Sequence, residues 1–174
     1  MGFDRSIALN VSHVAIKVDD LELTCKFYEL ILGLKRGPRP AFGYPGAWLA
    51  DQDGNAIIHL YGGDRGIDSS GAPYIGSGAV DHISINCVGY KDIISALKRV
   101  GLLWREFDVP GTTLRQVFVY DPNAILLELT FKKTDEYDEL MAQISDEQRY
   151  VANQSFYEFD KTREAIHRAI NNEH

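Results

Sequence analysis

The sequence predicts an α+β fold in which two βαβββ modules follow each other and a helical extension completes the chain. Residues 11–18 and 80–87 both alternate apolar and polar side chains, as half-buried strands do, and both carry a histidine in third position. The two histidines are 69 residues apart, and the same offset relates two short apolar runs, broken by His59 and by Glu128. A repeat of this length indicates two copies of one supersecondary unit.

Each half continues with a predicted helix. In the first half, Asp20 is a suitable N-cap, apolar residues recur on one face, and Gly33 supplies a left-handed C-cap. In the second half, residues 89–100 repeat this pattern and Gly101 ends it. The helices therefore occupy equivalent places in the two modules, with a slip of one residue.

Strands and turns fill the remainder of each half. Further strands are predicted over 44–50 and 56–60 in the first half, and over 102–109, 113–120 and 125–129 in the second. The predicted boundaries are 8–62 for the first module, 63–79 for a Gly- and Ser-rich linker, 80–132 for the second module and 133–174 for the extension.

The extension, residues 133–174, lies outside the repeat. Ser145 followed by Gln148 resembles a capping box, and residues 160–170 have the spacing of an amphipathic helix. We expect this extension to pack on the sheet or on a partner subunit; a lid over the functional site is the alternative.

Composition excludes several classes of protein. The net charge is −7 and no dense Lys/Arg run offsets it, so nucleic-acid binding is not expected. No apolar run approaches the roughly 20 residues that a membrane helix needs. The two cysteines, Cys25 and Cys87, form no CxxC motif and are predicted to be buried thiols, which favours a reducing, cytoplasmic location.

The repeat-related side chains indicate a metal site. His13 is equivalent to His82, and His59 is equivalent to Glu128, so a pseudo-twofold axis would bring the four together. Imidazole and carboxylate groups suit one divalent ion of Fe, Zn, Ni, Co or Mn. A single strand histidine is more often structural, but a carboxylate within an apolar strand costs several kcal/mol unless it is paired or bound to metal. Jointly, the four positions favour ligation.

The chain resembles the vicinal oxygen chelate superfamily, which includes glyoxalase I, methylmalonyl-CoA epimerase, fosfomycin-resistance enzymes and extradiol dioxygenases. The resemblance covers about residues 8–131 and rests on segments 13–21, 27–28, 32–34, 45–49, 58–60, 81–83, 121–122 and 127–129. It implies a cupped mixed sheet around the metal, with ligands from the first and last strands of each module. His59 departs from the Glu of glyoxalase I and the Gln of the epimerase, and Ala124 stands where a glycine is usual.

Three functions remain open at this point. Four protein ligands on an octahedral ion leave two neighbouring positions, which suit a substrate that chelates through vicinal oxygens. The resemblance then implies proton transfer through an enediolate (glyoxalase, isomerase, epimerase or lyase chemistry), with Glu128 as the base. The alternative is an Fe(II) extradiol-type dioxygenase of a catechol-like substrate, held by His13, His82 and Glu128 alone. A drug-sequestering resistance protein is the non-enzymatic alternative.

Substrate contacts are less well defined by the sequence. Trp48 and Tyr120 are candidates for the wall of a pocket for a small-molecule substrate, although aromatic strand residues often belong to the core. Arg115 is a candidate for binding a substrate carboxylate, with a solvent-exposed strand position as the alternative. The resemblance also implies a homodimer, because two such modules pair either within one chain or between two chains.

Overall fold

The computed structural model describes residues 10–63, 75–133 and 143–172. Most of the predicted linker and the beginning of the extension lie outside the described residues. The first module contains β1 (Val14–Val18), α1 (Leu21–Leu32), β2 (Lys35–Arg36), β3 (Gly46–Ala50) and β4 (Ala56–Gly62). The second contains β5 (Ile83–Asn86), α2 (Tyr90–Val100), β6 (Trp104–Asp108), β7 (Leu114–Tyr120) and β8 (Leu126–Lys132), and α3 (Phe159–Asn171) follows.

Each module forms one four-stranded mixed sheet with the same topology. The strand orders are β1-β4-β3-β2 and β5-β8-β7-β6. In each sheet the first and last strands pair in parallel, and the remaining neighbours are antiparallel. The predicted fold class, two βαβββ modules with a C-terminal helix, is therefore confirmed. Within the described part of the chain, β1 and β5 each have one sheet edge without a neighbouring strand.

Helix α1 begins and ends where its capping residues predict. The Asp20 carboxylate accepts a hydrogen bond from the backbone N–H of Leu23 at 2.9 Å, and Gly33 closes the helix in the left-handed region at φ 65°. Helix α2 ends in the same way at Gly101, at φ 82°. In both helices the large apolar side chains recur at the spacing of one helix face, so that this face is buried.

The core lies between the helices and the inner faces of both sheets. Its central members come from both modules and from α3: Val18, Leu23, Phe27, Leu49, Leu60, Leu97, Val117, Leu127, Leu129 and Ile166. One apolar cluster thus joins the modules. The two thiols are unpaired, and burial raises the pKa of both Cys25 and Cys87 to about 11.

A buried polar contact fixes α1 against the turn between β7 and β8. The Tyr28 hydroxyl donates to Asp121 Oδ2 at 3.3 Å, and Asn123 Nδ2 donates to Thr24 Oγ1 at 3.1 Å. Asp121 Oδ1 also accepts from the backbone N–H of Ile125 at 2.9 Å. Because these groups are buried, their mutual hydrogen bonds set the orientation of one module on the other.

The extension differs from the prediction at its beginning. Ser145 Oγ accepts from the Gln148 backbone N–H at 3.2 Å, but this contact closes a turn rather than opening a helix. The predicted second helix is confirmed as α3, which buries Ala165 and Ile166 in the core and places Arg163 3.2 Å from Asp19. Among the described helices, none combines the length and the apolar character that spanning a bilayer requires.

Candidate metal centre

The first half of the candidate site lies on the outer face of the first sheet. His13 immediately precedes β1, and His59 lies in the middle of β4, in register with Trp48 of β3. The imidazole of His59 is stacked between two rings, with centroid distances of 3.9 Å to His13 and 4.4 Å to Trp48. The predicted ligand pair of this module is therefore in direct contact.

The stacked arrangement limits how this pair can bind a metal. An imidazole nitrogen binds an ion along a direction that lies in the ring plane. The planes of His13 and His59 are 15° apart and the rings lie face to face, so both cannot point a nitrogen at one ion in this rotamer. His13 is the exposed ring of the pair, whereas His59 is only 8% exposed. A rotation of His13 would convert the stack into a ligand pair.

The protonation of His59 also suits ligation. Burial, followed by the charge of His13, lowers the pKa of His59 below its usual value. The imidazole is therefore held neutral, which is the form that binds a metal.

The second half of the site is a histidine–carboxylate pair. His82 immediately precedes β5, and Glu128 lies in the middle of β8, in register with Ser84 of β5 and Phe118 of β7. His82 Nε2 lies 3.4 Å from Glu128 Oε2. Two ligands bound to one ion at about 2.1 Å on neighbouring positions lie about 3 Å apart, so this pair has the spacing of a half-site.

Neighbouring polar groups orient both members of this pair. Asp81 Oδ1 lies 2.7 Å from His82 Nδ1, and a proton on Nδ1 leaves Nε2 free to bind a metal. Ser84 Oγ donates to Glu128 Oε1 at 2.6 Å, and Thr130 Oγ1 donates to the same oxygen at 3.1 Å. Oε2 is thereby left to face His82. The donor set and its oriented neighbours fit a divalent ion of the predicted class.

Sequence reasoning did not single out these orienting residues. Ser84 lies two positions after His82 and Thr130 two positions after Glu128, and residues two apart share one face of a strand. That spacing was the available signal.

Among the residues that the structure describes, the four candidate ligands form two pairs and no larger group. The structure brings His13 to His59 and His82 to Glu128, but among the described residues no group of three or more His, Cys, Asp or Glu side chains is placed to hold one ion. The edges of β1 and β5 instead border a cleft of about 700 Å³. Valines beside these edges are exposed, with Val11 at 83% and Val88 at 79%.

Arg115 occupies a place that its predicted role does not fit. It alternates with Phe118 along β7 and so lies on the opposite face of the sheet from Glu128. Its side chain is 3% exposed and donates to Asp108 Oδ2 at 2.7 Å and to Glu106 Oε2 at 3.4 Å. The structure therefore corrects the assignment of Arg115 as a substrate-binding residue, because its charge is already neutralised inside the fold.

The two predicted aromatic wall residues do lie on the outer faces. Trp48 covers His59, and Tyr120 lies on the same face of its sheet as Phe118 and Glu128. Tyr120 is itself contacted by Phe156, at a ring distance of 5.0 Å. The extension thus packs on the second sheet, as expected, and reaches the second half-site.

Comparison with known proteins agrees with this architecture. Residues 10–129 match the family model of the glyoxalase/bleomycin resistance protein/dioxygenase superfamily. No curated protein sequence is significantly similar to the chain.

Solved structures similar to the chain include a glyoxalase family protein from Bacillus anthracis, with 18% identity, a TM-score of 0.58 and coverage of 74% of this chain and 99% of that one. A glyoxalase/dioxygenase from Nostoc punctiforme has 21% identity and a TM-score of 0.56, covering 76% and 100% of the two chains. A mutant of the fosfomycin resistance protein FosX from Listeria monocytogenes, complexed with Mn(II) and 1S,2S-dihydroxypropylphosphonic acid, has 16% identity and a TM-score of 0.55, covering 76% and 99%.

These likenesses in structure concern the fold, whereas the family model spans most of the chain and includes all four candidate ligands. The chain belongs to the glyoxalase/bleomycin resistance protein/dioxygenase superfamily.

Proposed function

We propose that this protein is a metal-dependent enzyme that acts on a small molecule bound through two vicinal oxygens, by proton transfer through an enediolate. The observation that carries the proposal is the His82–Glu128 pair, at 3.4 Å, with Asp81 and two hydroxyl groups orienting it. A strand carboxylate that binds no ligand would not require these orienting contacts. The divalent metal in the FosX complex supports the same class of cofactor in this fold.

Each residue has a definite task in this proposal. His13, His59, His82 and Glu128 would hold the ion, which supplies Lewis-acid polarisation of the two substrate oxygens. Glu128 would detach its Oε2 from the ion and accept there the proton from substrate carbon, because Oε1 already accepts hydrogen bonds from Ser84 and Thr130. Trp48 shields the first-module side of the site from water.

The site would be completed in a homodimer. Among the described residues the four candidate ligands form two pairs and no larger group, and both edge strands that border them, β1 and β5, have an open edge. An exposed edge with apolar flanking residues such as Val11 and Val88 is suited to pairing with another chain. A twofold dimer would place His13 and His59 of one chain opposite the other chain's second-module pair.

An Fe(II) extradiol-type dioxygenase is the second candidate, and the stacking of His59 favours it. If the ring stays between His13 and Trp48, the ligand set reduces to His13, His82 and Glu128, with a third position open for dioxygen. His59→Ala separates the two functions. Metal retention should fall at least tenfold for a four-ligand site, and should change little for a three-ligand site.

Elemental analysis of protein purified without chelator tests the metal site. We expect about one divalent ion per chain in the wild type and loss of most of it in His82→Ala. His167→Ala is the matched control, because His167 is an exposed residue of α3, away from the site, and should retain the metal.

The identity of the ion ranks the candidate functions. Iron would favour oxygen chemistry and a screen of catechols, whereas Zn, Ni, Co or Mn would favour proton transfer and a screen of hydroxy-keto acids, glutathione adducts and acyl-CoA thioesters. An ion-free wild type, even after reconstitution, would contradict both enzymes and leave the drug-sequestering resistance protein.

A further inference from the structure

A segment of the extension, residues 148–157, lies across the second sheet and is called the C-terminal strap below. The strap begins with an isolated parallel β-bridge, between Arg149 and Glu106, at the edge of β6. The Glu106 backbone N–H donates to the Gln148 carbonyl at 2.7 Å, and the Tyr150 N–H donates to the Glu106 carbonyl at 2.9 Å. Gln148 Nε2 also donates to the Trp104 carbonyl at 2.6 Å. These contacts fix the position of the strap backbone beside the sheet.

Tyr150 projects from this anchored backbone onto the face that carries Glu128. Its ring stacks on Phe118 with a centroid distance of 3.6 Å and an interplanar angle of 9°. Phe118 pairs in register with Glu128 across β7 and β8, and its ring is also met edge-on by His82 at 6.2 Å. Tyr150 therefore covers the aromatic surface directly beside the histidine–carboxylate pair.

The other end of the strap is held as well. Phe156 contacts Tyr120 at 5.0 Å, and the Arg105 guanidinium lies 4.9 Å above the Phe156 ring. Tyr157 packs on Tyr120 at 4.8 Å. Because backbone hydrogen bonds hold one end and aromatic packing holds the other, the strap forms a fixed wall beside the His82–Glu128 pair.

The side chain of Tyr150 is partly buried where its ring stacks on Phe118. Burial raises the pKa of Tyr150. The phenol therefore stays protonated at neutral pH and is available as a hydrogen-bond donor.

We propose that Tyr150 is a substrate-binding residue whose hydroxyl donates a hydrogen bond to an oxygen of a compact, oxygen-chelating anion bound beside His82 and Glu128. The inference rests on the proposed metal site and deepens it. The strap lies outside residues 10–129, the part that matches the family model, so the residue that contacts the substrate comes from this chain's own extension. Because the strap covers Phe118 and contacts Tyr120, we expect the substrate to contact Tyr150 rather than these two strand residues.

The test uses Mn(II) as the metal and acetohydroxamate as the probe, a small chelator that binds as an anion through oxygens on two adjacent atoms. Mn(II) affinity is measured by electron paramagnetic resonance of the free ion, and probe affinity by calorimetry on the Mn(II)-loaded full chain. In Tyr150→Phe we expect unchanged Mn(II) affinity and acetohydroxamate binding about five- to tenfold weaker, the loss of one hydrogen bond.

Tyr157→Phe is the matched control, because it removes a hydroxyl from the same strap but one that is buried away from solvent. It should bind both Mn(II) and acetohydroxamate as the wild type does. Equal acetohydroxamate affinity in Tyr150→Phe and wild type would overturn the inference while leaving the metal site standing. A wild type that binds no Mn(II) would overturn the proposed function, and this inference with it, at the first titration.

Discussion

At the scale of single residues, Ala124 shows a conflict between side chain and backbone. It lies in the turn that leads into β8 and adopts φ 63°, in the left-handed region. The corresponding turn of the first module carries Gly54 at φ 84°. An alanine in this region is strained by about 1–2 kcal/mol, whereas glycine is not. The turn is nevertheless held by the buried Asp121 carboxylate, whose Oδ1 accepts from the Ile125 N–H at 2.9 Å.

Ala124→Gly should therefore stabilise the protein. Relief of the strain outweighs the greater chain entropy of glycine in the unfolded state, for a net gain of about 0.5–1 kcal/mol. Urea denaturation measures it, with Ala169→Gly in helix α3 as the control, since that residue has ordinary helical geometry and should lose about 1 kcal/mol. A decrease in stability for Ala124→Gly would show that the turn is not strained.

At the scale of secondary-structure elements, the side chains of β7 alternate between the core face of the sheet and the face that carries Glu128. Arg115 faces α2 and the core, where it approaches the ring of Tyr90 at 5.8 Å and is paired with Glu106 and Asp108. Tyr90 donates to Glu106 Oε2 at 2.5 Å, so the same carboxylate is shared by strand and helix. This buried network holds α2 to the outer strands of the second sheet.

Arg115→Met should destabilise the fold without affecting the site. Removing the cation leaves Glu106 buried without its charge partner, which costs about 3 kcal/mol. Urea denaturation should show this loss, whereas Arg36→Met, which breaks surface ion pairs with Glu22 and Glu29, should cost about 1 kcal/mol or less. A large loss of acetohydroxamate affinity in folded Arg115→Met would restore the substrate-binding role.

The ion pair between Arg115 and Asp108 predicts that the stability of the protein depends on pH in the acid range. Hydrogen bonding to Arg115 lowers the pKa of Asp108 from 3.8 to about 2, so its stabilising contribution is full above about pH 4 and is lost as pH falls through about 2. The stability difference between wild type and Arg115→Met should therefore narrow as pH falls from about 5 to about 2. Urea midpoints across this range measure it; a constant difference would contradict an ionic origin.

How much of this could be predicted from the sequence varies from element to element. The boundaries of α1 followed from Asp20 and Gly33, because capping is a local property of the chain. The orientation of Arg115 could also have been predicted, since it shares its strand face with Val117 and Val119, which are both fully buried. An arginine two and four residues from core valines belongs to the core side.

The position of the strap could not be predicted from the sequence. Tyr150 reaches Phe118 because the backbone of the strap bonds to Glu106, a contact between segments more than forty residues apart with no periodic signal. The sequence also could not show that the four candidate ligands form two pairs. The 69-residue repeat identifies equivalent positions, but it does not determine whether equivalent modules meet within one chain or between two chains.

At the scale of the whole molecule, the packing of the modules determines where a complete site can form. The modules share one core, and α1 is fixed on the second module by the Tyr28–Asp121 contact. Both sheets therefore turn their inner faces toward this core and their ligand-bearing faces away from it. If all four side chains bind one ion, either a second chain or a rearrangement of the modules must bring the two ligand pairs together.

Mixing two defective variants tests the shared site. His59→Ala damages the first-module half and Glu128→Gln the second-module half, so each homodimer has two damaged sites. A mixed dimer instead pairs the intact halves at one of its two sites, so subunit exchange should restore tight Mn(II) binding to about a quarter of all sites. His82→Ala mixed with Glu128→Gln is the control, because both changes lie in the second-module half and no combination yields an intact site. Restoration in the first mixture alone would place each site between two chains. If neither mixture recovers although size-exclusion chromatography with light scattering shows that the subunits have exchanged, the ligands of each site come from one chain, and the modules must rearrange to bring them together.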